Sequence, residues 1–456
     1  MDFKKRVEMC FRGNDVRCLS EKEIDEELAY ITGKAVVDFL KCKKLIVGID
    51  MRKFSPILKN SFVKGVTEQG CDVIDIGMID TPGLYFATGK FDLPGVMITA
   101  SHNPIQYEGI KIVREKARPI GLGTGLEKIK ELVLKNKFKQ SSLGKIIKKD
   151  IYKDYKKYVD TFIDQRSFEP IKIIVDAGNG MGGKIFPLIY DGFPFKVIKE
   201  CFEITGNFEK HDANPFILKN TEDLRKNIVK NKFELGIAFD SDMDRVFFVD
   251  ENSKLIDSSS IAYLIIKHFS EKIKKSGFLY SVTMSKSLTE FAAHSKFKAI
   301  RCPVGHAFIK KMLKEKNAYF GCEDSGHFYY KNNFYADSGI ITSLIILEIF
   351  SKEKRKNKSV KFSELVSSCN IYAKMQEKSL KFKSRENAYK KIVNYFKKQN
   401  PKKIEKIDGM SFYFDNYWCN IRISKTEPFL RFNMEANNQK ILEEKEKEIE
   451  TFLRNL

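Results

Sequence analysis

Short apolar segments alternate with amphipathic segments several times along the 456-residue chain, and this alternation limits the possible folds most strongly. Apolar segments at 45–48, 95–98, 171–175 and 234–239 have the length and composition of buried strands. Segments with helical periodicity lie between them, and 125–134 is the clearest of these. Repeated strand–helix–strand units are typical of α/β domains with mainly parallel sheets. A chain of this length is expected to form more than one such domain.

Changes in composition suggest three domain boundaries. A lysine-rich stretch places one boundary near residue 150, and the end of the strand at 246–249 places another near 255. The third boundary lies in a Lys/Ser-rich region that follows residue 352. The last part of the chain is shorter and ends in a charged helix. We therefore expect the following domains: 1–150, 151–255, 256–368 and 369–456.

The net charge of +21 arises from 81 Lys and Arg against 60 Asp and Glu. A basic balance can indicate nucleic-acid binding. Here lysines are mixed with glutamates, as at 352–358, which is typical of a solvated surface. We expect no specific nucleic acid as partner, and a positive field would attract small phosphorylated substrates.

Neither the N-terminus nor any apolar segment predicts export or membrane insertion. No apolar run reaches the roughly 18 residues that a membrane span needs, and the first residues lack a signal-peptide core. The nine cysteines form no Cys-x-x-Cys pair, and their odd number excludes complete internal pairing. We expect a cytoplasmic protein with reduced thiols and no membrane partner.

The segment 99–104, Thr-Ala-Ser-His-Asn-Pro, follows directly on the apolar segment 95–98. Such a strand end would present the Ser101 hydroxyl at the carboxyl edge of a sheet, where α/β proteins bind ligands. A serine after a strand can also cap a helix. Both interpretations are open from this segment alone.

Three aspartates, Asp240, Asp242 and Asp244, stand at alternate positions after the strand 234–239. Their charges repel unless a cation offsets them, and three carboxylates can converge on one hard divalent cation. An EF-hand loop is disfavoured because Arg245 takes the position of its glycine. A phosphatase with an aspartate nucleophile would not need the third carboxylate. We expect a metal site.

Two later loops carry polar groups that suit a sugar phosphate. In 321–327, Glu323, Ser325 and two glycines suit the recognition of a polyol, although an ordinary surface turn has the same composition. In 422–428, with Arg431 close behind, arginine, serine and threonine could surround a phosphate. A solvated turn with a chance cluster of charge is the alternative there.

Together and in this order, the four loops resemble those of the α-D-phosphohexomutase superfamily, phosphomannomutase/phosphoglucomutase branch. The family has a Thr-Ala-Ser-His-Asn-Pro loop, an Asp-x-Asp-x-Asp-Arg loop, a Glu-x-Ser-Gly loop and an Arg-x-Ser-x-Thr-Glu-Pro loop, and all four occur here. The segments 176–180 and 304–306 also look similar. The resemblance implies three related α/β domains with mixed sheets plus a smaller C-terminal α+β domain around a central cleft.

The resemblance also implies an isomerase that moves a phosphoryl group. Phosphorylated Ser101 would donate its phosphoryl group to a hexose monophosphate, and the bisphosphate would return its other phosphate. Hexose 1-phosphate and hexose 6-phosphate of mannose or glucose would thus interconvert. One Mg²⁺ per chain would be held by Ser101, Asp240, Asp242 and Asp244, and hexose 1,6-bisphosphate would act as activator.

Site residues follow from the same resemblance. Those expected to be catalytic are Ser101, His102, Lys111, Arg17 and Arg245. Those expected to bind substrate are Glu323, Ser325, His327, His306, Arg422, Ser424, Lys425, Thr426 and Arg431. A nearby Mg²⁺ and arginines would lower the pKa of Lys111 and make it a better base.

Several positions depart from the family pattern, and they bear on the choice of sugar. The departures are Asn14, Cys18, Glu108, Ser241, Thr283 and Lys425. Lys425 and Asp324 favour mannose or glucose phosphate over glucosamine phosphate. A phosphoglucosamine mutase and a metal-dependent sugar phosphatase are the alternatives, and either a monomer or a dimer is compatible with the sequence.

Overall fold

The computed structural model describes residues 1–13, 15–139, 141–273, 276–369, 371–424, 428–454 and 456. The chain forms two compact units. The first comprises Met1–Ile256 and Ser325–Ser363, and the second comprises Asp257–Asp324 and Glu364–Leu456.

The first unit begins with a large mixed sheet and its helices. Its elements are α1 (Phe3–Cys10), β1 (Phe11–Arg12), β2 (Asp15–Leu19), α2 (Glu26–Leu40), β3 (Lys44–Ile49), α3 (Ser55–Glu68), β4 (Asp72–Met78), α4 (Thr81–Phe91), β5 (Gly95–Ile98), β6 (Tyr107–Arg114), β7 (Arg118–Ile120), α5 (Leu126–Lys135) and β8 (Ile146–Lys148). The strand order is β1-β2-β6-β5-β3-β4-β8, with β7 on β6. β3 is parallel to β4 and β5, whereas β6 is antiparallel to β5 and β2.

A second sheet of the same unit follows in the chain. Its elements are α6 (Tyr152–Asp160), β9 (Lys172–Asp176), α7 (Gly182–Tyr190), β10 (Lys196–Glu200), α8 (Glu222–Lys230), β11 (Leu235–Phe239) and β12 (Val246–Asp250). The order is β10-β9-β11-β12, and only the pair β11–β12 in this sheet is antiparallel. The unit is completed by β16 (Phe328–Tyr330), β17 (Ala336–Asp337) and α12 (Gly339–Lys356).

The second unit contains a parallel sheet and an antiparallel sheet. The parallel sheet and its helices comprise α9 (Ser258–Lys272), β13 (Ser276–Ser281), α10 (Ser287–Ala293), β14 (Phe297–Cys302), α11 (His306–Glu315) and β15 (Phe320–Cys322). Strand β13 is parallel to both β14 and β15. After α13 (Phe362–Ser367) come β18 (Ala373–Lys374), β19 (Lys378–Leu380), α14 (Arg385–Lys397), β20 (Lys403–Glu405), β21 (Met410–Tyr413), β22 (Tyr417–Ile423), β23 (Leu430–Ala436) and α15 (Gln439–Arg454). The antiparallel order is β18-β23-β22-β21-β20, with β19 on β23.

The sequence pattern explains the main elements. Leu45–Ile49 of β3 is buried throughout, as expected for a central strand with helices on both faces of the sheet. Helix α2 begins after Asp25, whose carboxylate accepts the Leu28 N–H. Helices α2 and α3 pack closely because they cross at glycines: a Cβ atom on Gly33 would lie 2.3 Å from the Phe62 carbonyl oxygen.

The predicted fold class is confirmed: the chain has a four-domain α/β fold with mixed sheets. The predicted strand at 95–98 matches β5, and the predicted helix at 125–134 matches α5 to within one residue at each end. The first sheet is mixed because the short loop after β5 turns the chain straight back into β6. No helix in the part of the chain that the structure describes has the length and apolar composition of a membrane span.

Candidate active site

Ser101 lies in the turn between β5 and β6, where its side chain is buried. Its φ of +50° falls in the left-handed region, which is uncommon for a residue other than glycine. Its Oγ lies 3.2 Å from Asp240 Oδ2 and 3.3 Å from His102 Nδ1. The next element is a strand, so Ser101 does not cap a helix. Its hydroxyl instead faces the carboxylates of a distant loop.

Arg52 holds the serine loop in place. Its side chain is 1 % exposed, and its guanidinium donates to four backbone carbonyl oxygens. Nη2 reaches Ser101 O at 2.6 Å and Asn103 O at 2.7 Å, and Nη1 reaches Pro104 O at 3.0 Å and Tyr107 O at 2.9 Å. The planar guanidinium thereby fixes both ends of the loop.

Asp240, Asp242 and Asp244 are buried in the turn between β11 and β12, with one oxygen atom of each within 4.8 Å of the others. Burial and the charges of Asp244 and Asp242 raise the pKa of Asp240 well above its ordinary value. Asp242 Oδ1 and Asp244 Oδ1 are buried and have no hydrogen-bond partner among the described residues. A cluster of hard oxygen donors with buried, unpaired atoms fits a divalent cation such as Mg²⁺.

Lys111, on β6, contacts this acidic cluster directly. Its Nζ donates to Asp242 Oδ2 at 2.6 Å and to Asp244 Oδ2 at 2.7 Å. Burial lowers the pKa of Lys111, but the charges of the two carboxylates outweigh burial and the pKa is raised. The predicted lowering of this pKa applies to the site with Mg²⁺ bound and stays a prediction.

Two further predicted residues lie beside the aspartates. The Arg245 backbone N–H donates to Asp240 Oδ1 at 3.1 Å, and its Nε lies 3.8 Å from Asp240 Oδ2. His327 Nδ1 lies 2.7 Å from Asp337 Oδ2 and 3.7 Å from Asp244 Oδ1. The aspartate loop and the loop that carries His327 thus meet in the first unit.

Arg17, on β2, reaches the serine loop from the other side. Its Nη1 donates to Asn103 Oδ1 at 2.7 Å, and its Nη2 pairs with Asp15. Arg17 therefore brings a positive charge to the loop that carries Ser101. Ser325 also belongs to the first unit.

The second unit contains the other predicted binding residues. Glu323 Oε1 accepts the Gly305 N–H at 2.7 Å, one residue before α11 begins at His306. The sequence places Glu323 and His306 in separate motifs, and the structure joins the two loops that carry them.

Arg422 and Arg431 face each other across β22 and β23. Glu377 lies between their charges: its Oε2 is 2.6 Å from Arg422 Nη2, and its Oε1 is 3.9 Å from Arg431 Nε. Ser424 is buried, and its N–H donates to the Phe429 carbonyl oxygen. Lys425 and Thr426 lie outside the described residues.

Sequence reasoning missed three residues of these sites: Thr81, Asp337 and Glu377. Thr81 Oγ1 donates to Asp242 Oδ2 at 2.6 Å, and its N–H donates to the Asp242 carbonyl oxygen. Nothing in the sequence links Thr81 to Asp242, because the two residues lie 161 positions apart. Asp337 and Glu377 lie in no recognisable motif.

The departures from the family pattern have different structural outcomes. Cys18 is buried and pairs in register with Glu108. Ser241 Oγ donates to the Ser101 carbonyl oxygen at 2.6 Å. Thr283 is buried, with its hydroxyl 2.9 Å from that of Ser281. Asn14 lies outside the described residues.

Comparison with known proteins identifies the family of this chain. The phosphoglucomutase/phosphomannomutase alpha/beta/alpha family models match residues 8–140 (domain I), 153–254 (domain II) and 257–370 (domain III). A phosphomannomutase of Methanocaldococcus jannaschii is 34 % identical, with 98 % of each chain covered. The chain belongs to the phosphoglucomutase/phosphomannomutase family. The predicted family resemblance is thereby confirmed.

Another relative and two solved structures match nearly the full length of the chain. A phosphomannomutase of Vibrio cholerae is 31 % identical over 98 % of each chain. Among solved structures, a phosphoglucomutase/phosphomannomutase family protein from Burkholderia thailandensis has a TM-score of 0.88 at 23 % identity and covers 99 % of this chain and 97 % of its own. Parafusin, a phosphoglucomutase from Paramecium, has a TM-score of 0.76 at 18 % identity and covers 94 % and 90 %. These two structures share the fold.

Proposed function

We propose that the chain is a phosphohexomutase that interconverts hexose 1-phosphate and hexose 6-phosphate of mannose, glucose or both. Relatives named phosphomannomutase match nearly the full length of the chain, which supports this reaction class. The observation that carries the proposal is the position of Ser101, whose Oγ lies beside the Asp240 carboxylate and the His102 ring rather than at a helix end.

Ser101 is proposed as the phosphoryl carrier. Its Oγ would give the phosphoryl group to a sugar hydroxyl and then accept the other phosphate of the bisphosphate. Lys111 would exchange the proton of the reacting hydroxyl, because it lies within the same buried cluster. Arg17, Arg245 and His102 would orient the phosphoryl oxygens, since phosphoryl transfer depends mainly on positioning and on stabilising charge.

Mg²⁺ is the proposed cofactor, held by Asp240, Asp242, Asp244 and Ser101. It would supply positive charge that stabilises the phosphoryl oxygens. The buried, unpaired carboxylate oxygens of Asp242 and Asp244 support this assignment. Hexose 1,6-bisphosphate is proposed as activator, because it can return a phosphoryl group to an unphosphorylated Ser101.

Two groups of residues are proposed to select the substrate. Glu323, Ser325, His306 and His327 would bind the sugar. Arg422, Ser424, Lys425, Thr426 and Arg431 would bind the phosphate that does not react. The pairing of Arg422 and Arg431 across two strands supports a site for a dianion.

The wider setting is also proposed. We infer domains at 1–150, 151–255, 256–368 and 369–456, a monomer or dimer, and a cytoplasmic location. All nine cysteines are free thiols, which supports a reducing compartment. Light scattering of the purified chain distinguishes a monomer from a dimer.

The central test combines mass spectrometry with a mutase assay. Intact-mass analysis should find one phosphate, mapped to Ser101. With Mg²⁺ and a bisphosphate activator, purified protein should convert mannose 1-phosphate or glucose 1-phosphate, and Ser101→Ala should lose this activity. Ser142→Ala, at an exposed serine, is the matched control.

Each contrary result has a definite meaning. Steady release of inorganic phosphate that survives Ser101→Ala would indicate a phosphatase. Activity on glucosamine 6-phosphate alone would overturn the order of sugars. Phosphate mapped to another residue would refute the assignment of Ser101.

A further inference from the structure

A second group of possible metal ligands lies on the other side of β9 from the three aspartates. Asp176 is the last residue of β9, and Cys201 directly follows the last residue of β10. The two strands are parallel, with Glu200 paired to Asp176. Asp176 and Cys201 therefore meet at the carboxyl edge of the sheet, and His211 reaches them from the loop after β10.

The three side chains present different ligand atoms to one point. One ligand atom from each lies within 4.8 Å of the others. His211 Nε2 lies 2.9 Å from Asp176 Oδ2 and 3.6 Å from Cys201 Sγ. In a tetrahedral zinc site, sulfur and nitrogen ligands lie about 3.6 Å apart, and nitrogen and oxygen ligands about 3.3 Å apart. The distance between His211 Nε2 and Cys201 Sγ already fits, and the distance between His211 Nε2 and Asp176 Oδ2 needs to increase by about 0.4 Å.

The hydrogen bond at the other nitrogen of His211 favours metal binding. His211 Nδ1 lies 3.0 Å from the Asp212 carbonyl oxygen, which can only accept, so Nδ1 carries a proton. Nε2 donates its own proton to Asp176 Oδ2, 2.9 Å away, and a metal ion would replace that proton and bind the lone pair that it leaves. A histidine ligand of a metal ion is commonly oriented by such a bond to a backbone carbonyl.

The backbone holds these ligands in position. The Ala177 N–H donates to Glu200 O at 3.0 Å, and the Asn179 N–H donates to Cys201 O at 2.7 Å. Asp176 Oδ1 accepts the Gly178 N–H at 2.8 Å, which leaves Oδ2 for a further partner. The side chain of His211 is 16 % exposed and that of Asp176 is 3 % exposed, so an ion would enter from the histidine side.

We propose that Asp176, Cys201 and His211 form a second metal site that binds Zn²⁺ or a similar borderline-soft divalent cation. Sulfur and imidazole ligands select such ions over Mg²⁺, whereas the aspartate cluster at 240–244 offers only oxygen. Binding removes the proton from the Cys201 thiol and the proton from His211 Nε2, and both protons pass to solvent. Water would complete four-coordination. The alternative is an ordinary ion pair between His211 and Asp176 beside a buried thiol.

Cobalt is a suitable probe because a thiolate bound to Co²⁺ gives a charge-transfer absorption that carboxylates cannot produce. The chelator-treated full chain is titrated with Co²⁺, and we expect the absorption to saturate at one equivalent and to disappear on adding equimolar Zn²⁺. Excess Mg²⁺ should leave it unchanged. Cys201→Ser should abolish the absorption, and His211→Gln should weaken Co²⁺ binding by roughly 10-fold or more.

Cys42→Ser is the matched control, because Cys42 Sγ lies 3.6 Å from Cys71 Sγ and this pair is the competing source of thiolate. The control should retain the absorption. Loss of the absorption in Cys42→Ser, its persistence in Cys201→Ser, or its absence from the natural chain would each overturn the proposal.

A measurement on the natural chain covers the case in which a variant does not fold. Zn²⁺ should slow alkylation of Cys201, read by mass spectrometry of its peptide, and leave alkylation of Cys42 unchanged. Equal alkylation of Cys201 with and without Zn²⁺ would refute metal binding at this site. Neither readout depends on mutase activity.

Discussion

Glu108 gives the sharpest test of the electrostatics around the serine loop. This glutamate departs from the family pattern and lies on β6, where its side chain is 1 % exposed. Ser55 Oγ lies 2.8 Å from Asp50 Oδ1 and 3.1 Å from Glu108 Oε2. Since Ser55 has one O–H to donate, both contacts are satisfied when Ser55 donates to Asp50 and a protonated Glu108 donates to Ser55.

The size of the expected change in folding stability follows from the pKa of Glu108. Burial, followed by the charge of Asp50, raises this pKa from 4.5 to about 8. In the unfolded chain the carboxyl ionises near pH 4.5, whereas in the folded chain it stays protonated up to about pH 8. The folded state is therefore stabilised fully below the unfolded pKa, and this contribution is lost as the pH rises to the folded pKa. Each pH unit corresponds to about 1.4 kcal/mol, so the loss is about 5 kcal/mol at most.

Glu108→Gln removes this titration and retains the shape of the side chain. We expect the free energy of unfolding of the variant, minus that of the natural chain, to rise between pH 5 and 8 and then level off. Urea unfolding at a series of pH values measures this difference, and taking the difference cancels the titration of other groups. Glu131→Gln, at an exposed position on α5, should show no such slope.

A flat difference across this pH range would refute the argument. It would mean that Glu108 is already ionised in the folded chain and is stabilised there by Arg52. A variant that is less stable than the natural chain at pH 8 would lead to the same conclusion.

Three other substitutions test contacts of these sites. Arg52→Lys leaves at least one of the four loop carbonyls without its donor, so we expect a loss of about 2 kcal/mol in urea unfolding, whereas Arg166→Lys, on a side chain that is 91 % exposed, should change little. Asp337→Asn should lower kcat roughly 10-fold with little change in KM, because His327 loses the carboxylate that orients its ring; an unchanged kcat would refute this role. The Lys374 ammonium pairs with the carboxylates of Asp257 and Asp324. Lys374→Met leaves both carboxylates without a cation, so urea unfolding should show that the free energy of unfolding falls by about 3 kcal/mol.

Features that depend on local sequence could be predicted well. The strand at 95–98 and the cluster of Asp240, Asp242 and Asp244 could be predicted because apolar runs and repeated carboxylates are local patterns. The contacts of Arg52 could not be predicted, since its four carbonyl partners lie about 50 residues away and carbonyl groups leave no trace in the sequence. Glu377 was missed for a related reason: it lies in the loop between β18 and β19, and its partner Arg422 lies on β22, 45 positions later.

The departure at Ser241 shows how the serine and aspartate loops depend on each other. The carbonyl oxygen of Ser101 accepts from Arg52 Nη2 at 2.6 Å and from Ser241 Oγ at 2.6 Å, which uses both of its lone pairs. A left-handed conformation at a serine costs about 1–3 kcal/mol. One hydrogen bond from a charged donor and one from a neutral donor together stabilise by about 2–4 kcal/mol. The two loops thus offset the strain at Ser101, and the direction of its hydroxyl is set by both of them together.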